Sequence, residues 1–307
     1  MKFTNLRLSV QRGLTMVELL VAMVLMTMVT LATVTLYSVT SDSYRTVDAD
    51  QELQNNARYA MDVISYAARH AGYQERVYVD HMSSDVSDTF FPTVKQIDGV
   101  DNSKISNYST DSDFGTVGGN NGENNSDVLT VRFFGSMKLP GNSAADTAMV
   151  SCLGKNNQYP SGGSAELMVS SFSIKVLDGE YELYCKARNT NNTNFDGQPI
   201  VPGMETFQVM YGIATADDKT VPERWLHANQ LVAADWPRIM AVRVGFVLRG
   251  KQGSAPVPTS ALTYYPMGQA FTGADTSAGM VFTAPIDGRL RRAYTATFKV
   301  RNNLSVL

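Results

Sequence analysis

Between Gly13 and Gly72 the sequence contains no glycine, and no proline appears before Pro92. Those two residue types interrupt helices most reliably. The stretch therefore predicts one unbroken helix from about Leu14 to Ala71, with Gly72 placed to end it. Its 58 residues would extend roughly 87 Å at 1.5 Å per residue. From Leu19 to Ser41, 23 consecutive positions carry no charged residue, and about 20 apolar residues cross a bilayer as a helix. A cleaved secretory signal has an apolar region of only about 7 to 15 residues that closes on small residues. This run is longer and lacks that exit, so the chain is expected to keep its anchor. A single acid, Glu18, stands at the head of the run, where a carboxylate needs a partner to be tolerated in lipid.

The flanks set the expected orientation. Lys2, Arg7 and Arg12 precede the run and Asp42 follows it. That asymmetry predicts a single pass, with the N-terminus in the cytoplasm and everything beyond about residue 42 exported. The two cysteines, Cys152 and Cys185, fall in the exported part, where disulfides persist. A Cys152–Cys185 bridge is the expectation, with two unbridged thiols as the alternative.

Beyond residue 42 the helix becomes amphipathic. Leu53, Ala57, Ala60, Met61, Ile64, Ala67, Ala68 and Ala71 recur at steps of three and four and make one stripe. In the apolar half, Thr27, Thr30, Thr33 and Thr35 can return their hydroxyls to carbonyls one turn back, which hides them and tends to bend a helix. After Tyr73 the pattern changes to strands. Residues 128–134 are rich in β-formers; Phe207, Val209, Tyr211 and Ile213 alternate, as do Val242, Val244, Phe246 and Leu248, and Tyr294, Ala296, Phe298 and Val300. Such alternation predicts antiparallel strands with one buried face, covered by the amphipathic stripe. Residues 98–127 and the RNTNNTNFDGQP stretch from Arg188 are polar and are expected to be surface loops. The expected fold class is α+β: a long N-terminal transmembrane and amphipathic helix packed on an antiparallel β-sheet head.

The segment GLTMVELLVAM, residues 13–23, resembles the N-terminal signal of the type IV pilin family, which includes the pseudopilins of type II secretion. The resemblance rests on a short basic leader ending in glycine, a hydrophobic residue after it, and a glutamate fifth from the cut. It implies cleavage between Gly13 and Leu14 by a prepilin peptidase and N-methylation of Leu14; family members more often carry Phe where this chain has Leu14. It also implies that Glu18 pairs with the N-terminal amine of a neighbouring subunit during assembly. The segments NNARYAMDVISYAARHAGY, DVLTVRFF, YELYCKA, VPGMETFQVMYGI, WPRIMAVRVGFVLRG and RLRRAYTATFKVRNN are similar, in order, to the landmarks of PilW-type minor pilins. Several members of that family have further cysteines, so no pairing is carried over from it.

By that resemblance the chain divides into a leader (1–13), a long helix (14–72, with 14–41 in the membrane) and a β-rich head (73–307). The 235 residues of the head are many for a shaft-forming pilin, which favours a minor subunit. The expected function is a minor pilin that helps initiate pilus assembly and sits at or near the tip. It would start in the inner membrane of a Gram-negative bacterium and end in the periplasm, the pilus or the cell surface. Expected partners are other minor pilins, the major pilin, the prepilin peptidase and a tip adhesin. Two alternatives stay open: a J-type minor pseudopilin of type II secretion, and a tip adhesin or DNA-binding minor pilin.

Nothing points to catalysis. The histidines His70, His81 and His227 form no metal-binding pair of the H-x-x-x-H kind, and there is no nucleophile elbow or phosphate-cradling glycine loop. No cofactor and no metal is expected; Asp111 and Asp113 lack the further oxygen ligands that Ca²⁺ needs. Without Lys2, Arg7 and Arg12 the chain has 23 basic against 29 acidic residues. That balance is the wrong sign for a partner bound through its phosphates, so nucleic acid is not an expected partner. The one basic cluster is Arg289, Arg291, Arg292, Lys299 and Arg301.

Overall fold

A computed structural model describes residues 13–73, 95–105, 122–135, 148–156, 167–188, 195–214, 221–272 and 275–302. The basic leader, His81, Asp111 and Asp113 lie outside the described residues. The chain divides into two compact units, Met1–Asp48 and Ala49–Leu307.

In the first unit the described residues are the apolar half of helix α1, which runs Met16–His70 as a whole. Its membrane-length window has no buried residue. Leu14, Met16, Met26, Leu31, Leu36 and Tyr37 are each more than two-thirds exposed. The threonine hydroxyls are bonded as their positions predict: Thr27 to Val24 O at 2.8 Å, Thr33 to Val29 O at 2.7 Å, and Thr40 to Leu36 O at 2.7 Å. Thr30 bonds Met26 O and Thr35 bonds Ala32 O. Bonds of this kind bend helices, yet α1 continues unbroken through them.

The second unit is built on the outer half of α1. Ala49, Leu53, Ala57, Ala60, Ile64, Ala67 and Ala68 are buried along one face, and Met61 is partly buried beside them. Gly72 follows at φ +71°. A Cβ there would stand 2.0 Å from Gln96 Oε1, so only glycine serves this turn.

Two antiparallel sheets complete the head. The first is a five-stranded meander, β1 (Ile97–Val100), β2 (Val128–Phe134), β3 (Leu167–Leu177), β4 (Glu180–Arg188) and β5 (Phe195–Pro202), with neighbours paired in sequence order. The second comprises β6 (Met204–Ile213), β7 (Arg224–Leu226), β8 (Ile239–Arg249) and β11 (Arg291–Lys299), in the order β11-β8-β6-β7. A two-stranded ribbon, β9 (Thr263–Tyr264) and β10 (Phe282–Thr283), is hydrogen-bonded as a separate pair. One hydrophobic core joins the α1 stripe to both sheets through Phe133, Phe172, Phe207, Tyr211 and Phe246, all fully buried.

The antiparallel α+β architecture is the expected one, with two corrections. The polar stretches expected to be loops contribute strands: Asp98–Val100 lie in β1, and Phe195–Pro199 in β5. β5 is an edge strand, where polar side chains are tolerated on the solvent side. The second sheet is also not buried on one face only. Every residue of β6 is buried, because Met210 packs with Met267 and Met280, and on β8 Val247 packs with Phe282 and Ala284. The segment after Arg249 thus forms a further layer. Its backbone comes so near the sheet that a Cβ on Gly245 would be 2.2 Å from Pro266 O.

Candidate functional site

The N-terminal segment places its functional residues by helix capping. Thr15 precedes the first helical residue Met16, and Glu18 stands three residues after it. Glu18 Oε2 accepts from the Thr15 backbone N–H and from Thr15 Oγ1, both at 2.9 Å, while the Glu18 N–H donates to Thr15 Oγ1 at 3.3 Å. This reciprocal arrangement is a capping box, which satisfies donors that a helix start leaves unpaired. The T-x-x-E spacing was available in the sequence, but Thr15 does not belong to the residues expected there. Gly13 and Leu14 precede the box, outside regular helix and exposed. The box uses backbone groups of Thr15 and Glu18 and none of Gly13 or Leu14, so a cut between those two would leave it intact.

In the head, Cys152 and Cys185 are joined in a disulfide with Cα atoms 6.3 Å apart. It ties the turn Cys152–Gly154 to buried Cys185 on β4, and the Cys152 N–H adds a bond to Ser170 Oγ on β3 at 3.1 Å.

The basic cluster is largely consumed within the chain. Arg291 is 5% exposed; its Nε lies 2.6 Å from Glu205 Oε2 and its NH1 2.5 Å from Asp287 Oδ1. Arg289 reaches Glu180 at 3.0 Å, and Arg292 reaches Asp50 on α1 at 2.9 Å. Glu205 also takes Arg249 NH1 at 3.1 Å. The Arg291 guanidinium holds the Asp287 carboxyl below its usual range, and the Arg249 guanidinium does the same for Glu180.

His70, in the last turn of α1, has Nδ1 2.7 Å from Tyr66 O and stacks on the Tyr66 ring at 4.2 Å. His227 is placed differently. It precedes the 3-10 turn Ala228–Gln230 and forms a capping box with Gln230, and its Nε2 lies 2.7 Å from Asp275 Oδ2. Asp101 accepts the Ala228 and Asn229 N–H groups at 3.1 and 2.7 Å. Asp127 accepts the N–H of Asn102 at 3.0 Å and that of Val209 at 2.8 Å. Burial, with Asp101 adding to it, pushes the Asp127 carboxyl well above the usual range, against the pull of those two N–H bonds. Positions 101, 127 and 227 are too far apart in sequence for any spacing pattern to connect them.

An apolar helix with no cover in its own unit, begun by a capped glutamate and followed by an antiparallel head, sets the frame for the comparisons. Residues 8–34 match the Prokaryotic N-terminal methylation motif, which makes this a type IV pilin-like protein with a membrane-anchoring start. Residues 169–302, which run from β3 through β11, match the family model described as Type IV Pilus-assembly protein W. The chain thus carries a PilW-type region across its head and a prepilin methylation motif at its start, the features of a type IV pilin-like protein. Among solved structures, a type IV-like pilin from Thermus thermophilus aligns with it at 13% identity and TM-score 0.38, covering 82% of this chain and 96% of the other. No curated protein matches the chain.

Proposed function

We propose that the chain is a minor pilin of a type IV pilus that helps initiate assembly and sits at or near the tip. A prepilin peptidase cuts between Gly13 and Leu14 and methylates the new amine of Leu14. Before assembly the apolar half of α1 crosses the inner membrane with its start in the cytoplasm; afterwards it lies among the helices of neighbouring pilins, minor and major. The head faces the periplasm and then the cell surface, where it meets other minor pilins and a tip adhesin. The observation that carries this reading is the uncovered helix: large apolar residues from Leu14 to Val39 are exposed, so lipid or other subunits must cover them. The bulk of the head supports a place used once per filament over one repeated along it.

Glu18 has two roles that can be separated. Within the chain it caps α1; between chains its carboxylate neutralises the freed amine of Leu14, since a charge in low dielectric needs a partner. Thr15→Ala removes the box and keeps the carboxylate, whereas Glu18→Ala removes both. Pairing predicts that Glu18→Ala abolishes incorporation and Thr15→Ala weakens it only mildly; equal defects would reduce Glu18 to a cap. A clean deletion strain scored for surface pili and for secreted hydrolases tests the assignment as a whole. Loss of pili with secretion intact is expected, and lost secretion with normal pili would move the protein to a secretion pseudopilus.

A further inference from the structure

In the head, β1 is followed by Asp101, β2 is preceded by Asp127, and His227 stands before the turn Ala228–Gln230. One ligand-type atom from each of the three lies within 4.8 Å of the others. Asp127 and His227 are each 2% exposed. Among the described residues, neither Asp101 nor Asp127 forms an ion pair with lysine or arginine. Asp127, buried, and Asp101, half-buried, thus share a site with a buried imidazole and no fixed cation, an arrangement whose charge favours a counter-ion.

Two further observations point to what that ion is. First, His227 Nε2 meets Asp275 Oδ2 at 2.7 Å, and Asp275 Oδ1 is itself held by the Ser277 N–H at 2.9 Å. A carboxylate behind one ring nitrogen is the usual support of a metal-ligating histidine: it fixes the tautomer and leaves the other nitrogen's lone pair for the ion. Here that nitrogen is Nδ1, whose lone pair in the capping box takes the Gln230 backbone N–H; a cation would take the place of that bond. Second, the hydroxyl of Tyr211 is fully buried and has no hydrogen-bond partner. It sits over Gly99, 1.8 Å from where a Cβ would be, and Asp101, Asp127 and Asp98 are the charges that act on it. An orphaned buried hydroxyl that feels the charge of both carboxylates suits a bond to an ion-bound water.

We propose that Asp101, Asp127 and His227 bind a divalent transition-metal ion, Zn²⁺ by chemistry, with Asp275 orienting His227 and the Tyr211 hydroxyl bordering the site. Two carboxylates and one imidazole give three protein ligands and leave a fourth position for water, a pattern Zn²⁺ accepts. Ca²⁺ takes six to eight oxygen ligands, and an imidazole does not suit it. The ion would fasten β1 and β2 of the first sheet to the turn Ala228–Gln230, which lies against β6 of the second.

The test uses the full chain in detergent, purified without a polyhistidine tag, stripped with EDTA and titrated with Zn²⁺ against a chromophoric chelator. One tightly held Zn²⁺ per chain is expected. His227→Gln should weaken binding at least tenfold, and so should Asp275→Asn, through its hold on the histidine. Asp127→Asn disturbs two backbone bonds that hold the fold, so the decision rests on His227→Gln and Asp275→Asn, with folding checked by circular dichroism. His70→Gln should leave binding unchanged. Uptake well below one equivalent, or uptake that His227→Gln leaves intact, overturns the proposal.

Discussion

Replacing Glu205 by glutamine keeps the shape of a fully buried side chain and removes its charge. Glu205 is 1% exposed and receives three guanidinium bonds: Arg291 Nε at 2.6 Å on Oε2, with Arg291 NH2 at 3.0 Å and Arg249 NH1 at 3.1 Å on Oε1. Whichever way the amide is turned, its NH₂ group faces a guanidinium donor. One charge-assisted bond is lost in the better orientation and two in the worse, at about 1.5–3 kcal/mol each. Two buried arginines also lose the negative charge between them, and breaking a buried ion pair costs about 3–5 kcal/mol in all. Arg291 keeps Asp287, and Arg249 keeps Glu180 at 2.7 Å. The expected loss is therefore at the low end, about 3 kcal/mol. Adding Arg291→Met removes the stranded guanidinium, so the Glu205→Gln cost should fall by half or more in that background. Urea unfolding of the full chain in detergent, followed by tryptophan emission, measures both; the only tryptophans, Trp225 and Trp236, lie in the head. A single-variant loss under about 1 kcal/mol, or the same loss in both backgrounds, would refute the reasoning.

Reducing the Cys152–Cys185 bridge, which closes a separation of 33 residues, should destabilise the head by about 3–4 kcal/mol in the loop-entropy account; unfolding with and without reductant reads it. Gly99→Ala puts a Cβ 1.8 Å from the Tyr211 hydroxyl and should cost roughly 1–3 kcal/mol, with Tyr211→Phe recovering most of it in the double variant. A failure of that rescue would place the clash on Val128 O or the ring carbon Cζ, 2.8 and 2.9 Å away, instead of on the hydroxyl. Asp287, held by Arg291 below its ordinary 3.8, is a depressed carboxyl. The unfolded chain takes up its proton first, so the stability it adds is present above that ordinary value and lost as pH falls through the folded value. Asp287→Asn should flatten the acid limb of a stability–pH curve, and an unchanged limb would assign acid sensitivity elsewhere.

The helix was legible because glycine and proline are absent over a long span and the stripe from Leu53 to Ala71 has one period. The strands around Val131, Val209 and Val244 were legible because their alternating core-facing residues are apolar. What escaped has identifiable causes. Asp98 and Gly99 look like loop residues, yet β1 tolerates them because Asp98 meets Lys95 and Arg132 and because Gly99 makes room for Tyr211. The second buried face of β6 depends on Met267 and Met280, which belong to a segment with no periodicity of its own. Thr15 stands in the sequence as the first residue of T-x-x-E, a spacing overshadowed by the uncharged run in which Glu18 is the single acid at the start. Asp101, Asp127 and His227 come together only through the pairing of β1 with β2 and the bonding of Asp127 to β6, which no linear pattern encodes.

The threonine hydroxyls of the apolar segment carry a consequence for movement. Each bonds a carbonyl of its own helix, so its polar needs are met wherever the helix lies. Exchanging a lipid neighbour for a protein one then neither breaks nor makes a hydrogen bond along that stretch. The balance of such an exchange is left to shape and dispersion, plus whatever Glu18 gains or loses at the end. A segment built this way is nearly indifferent to its surroundings along its length and selective at one point.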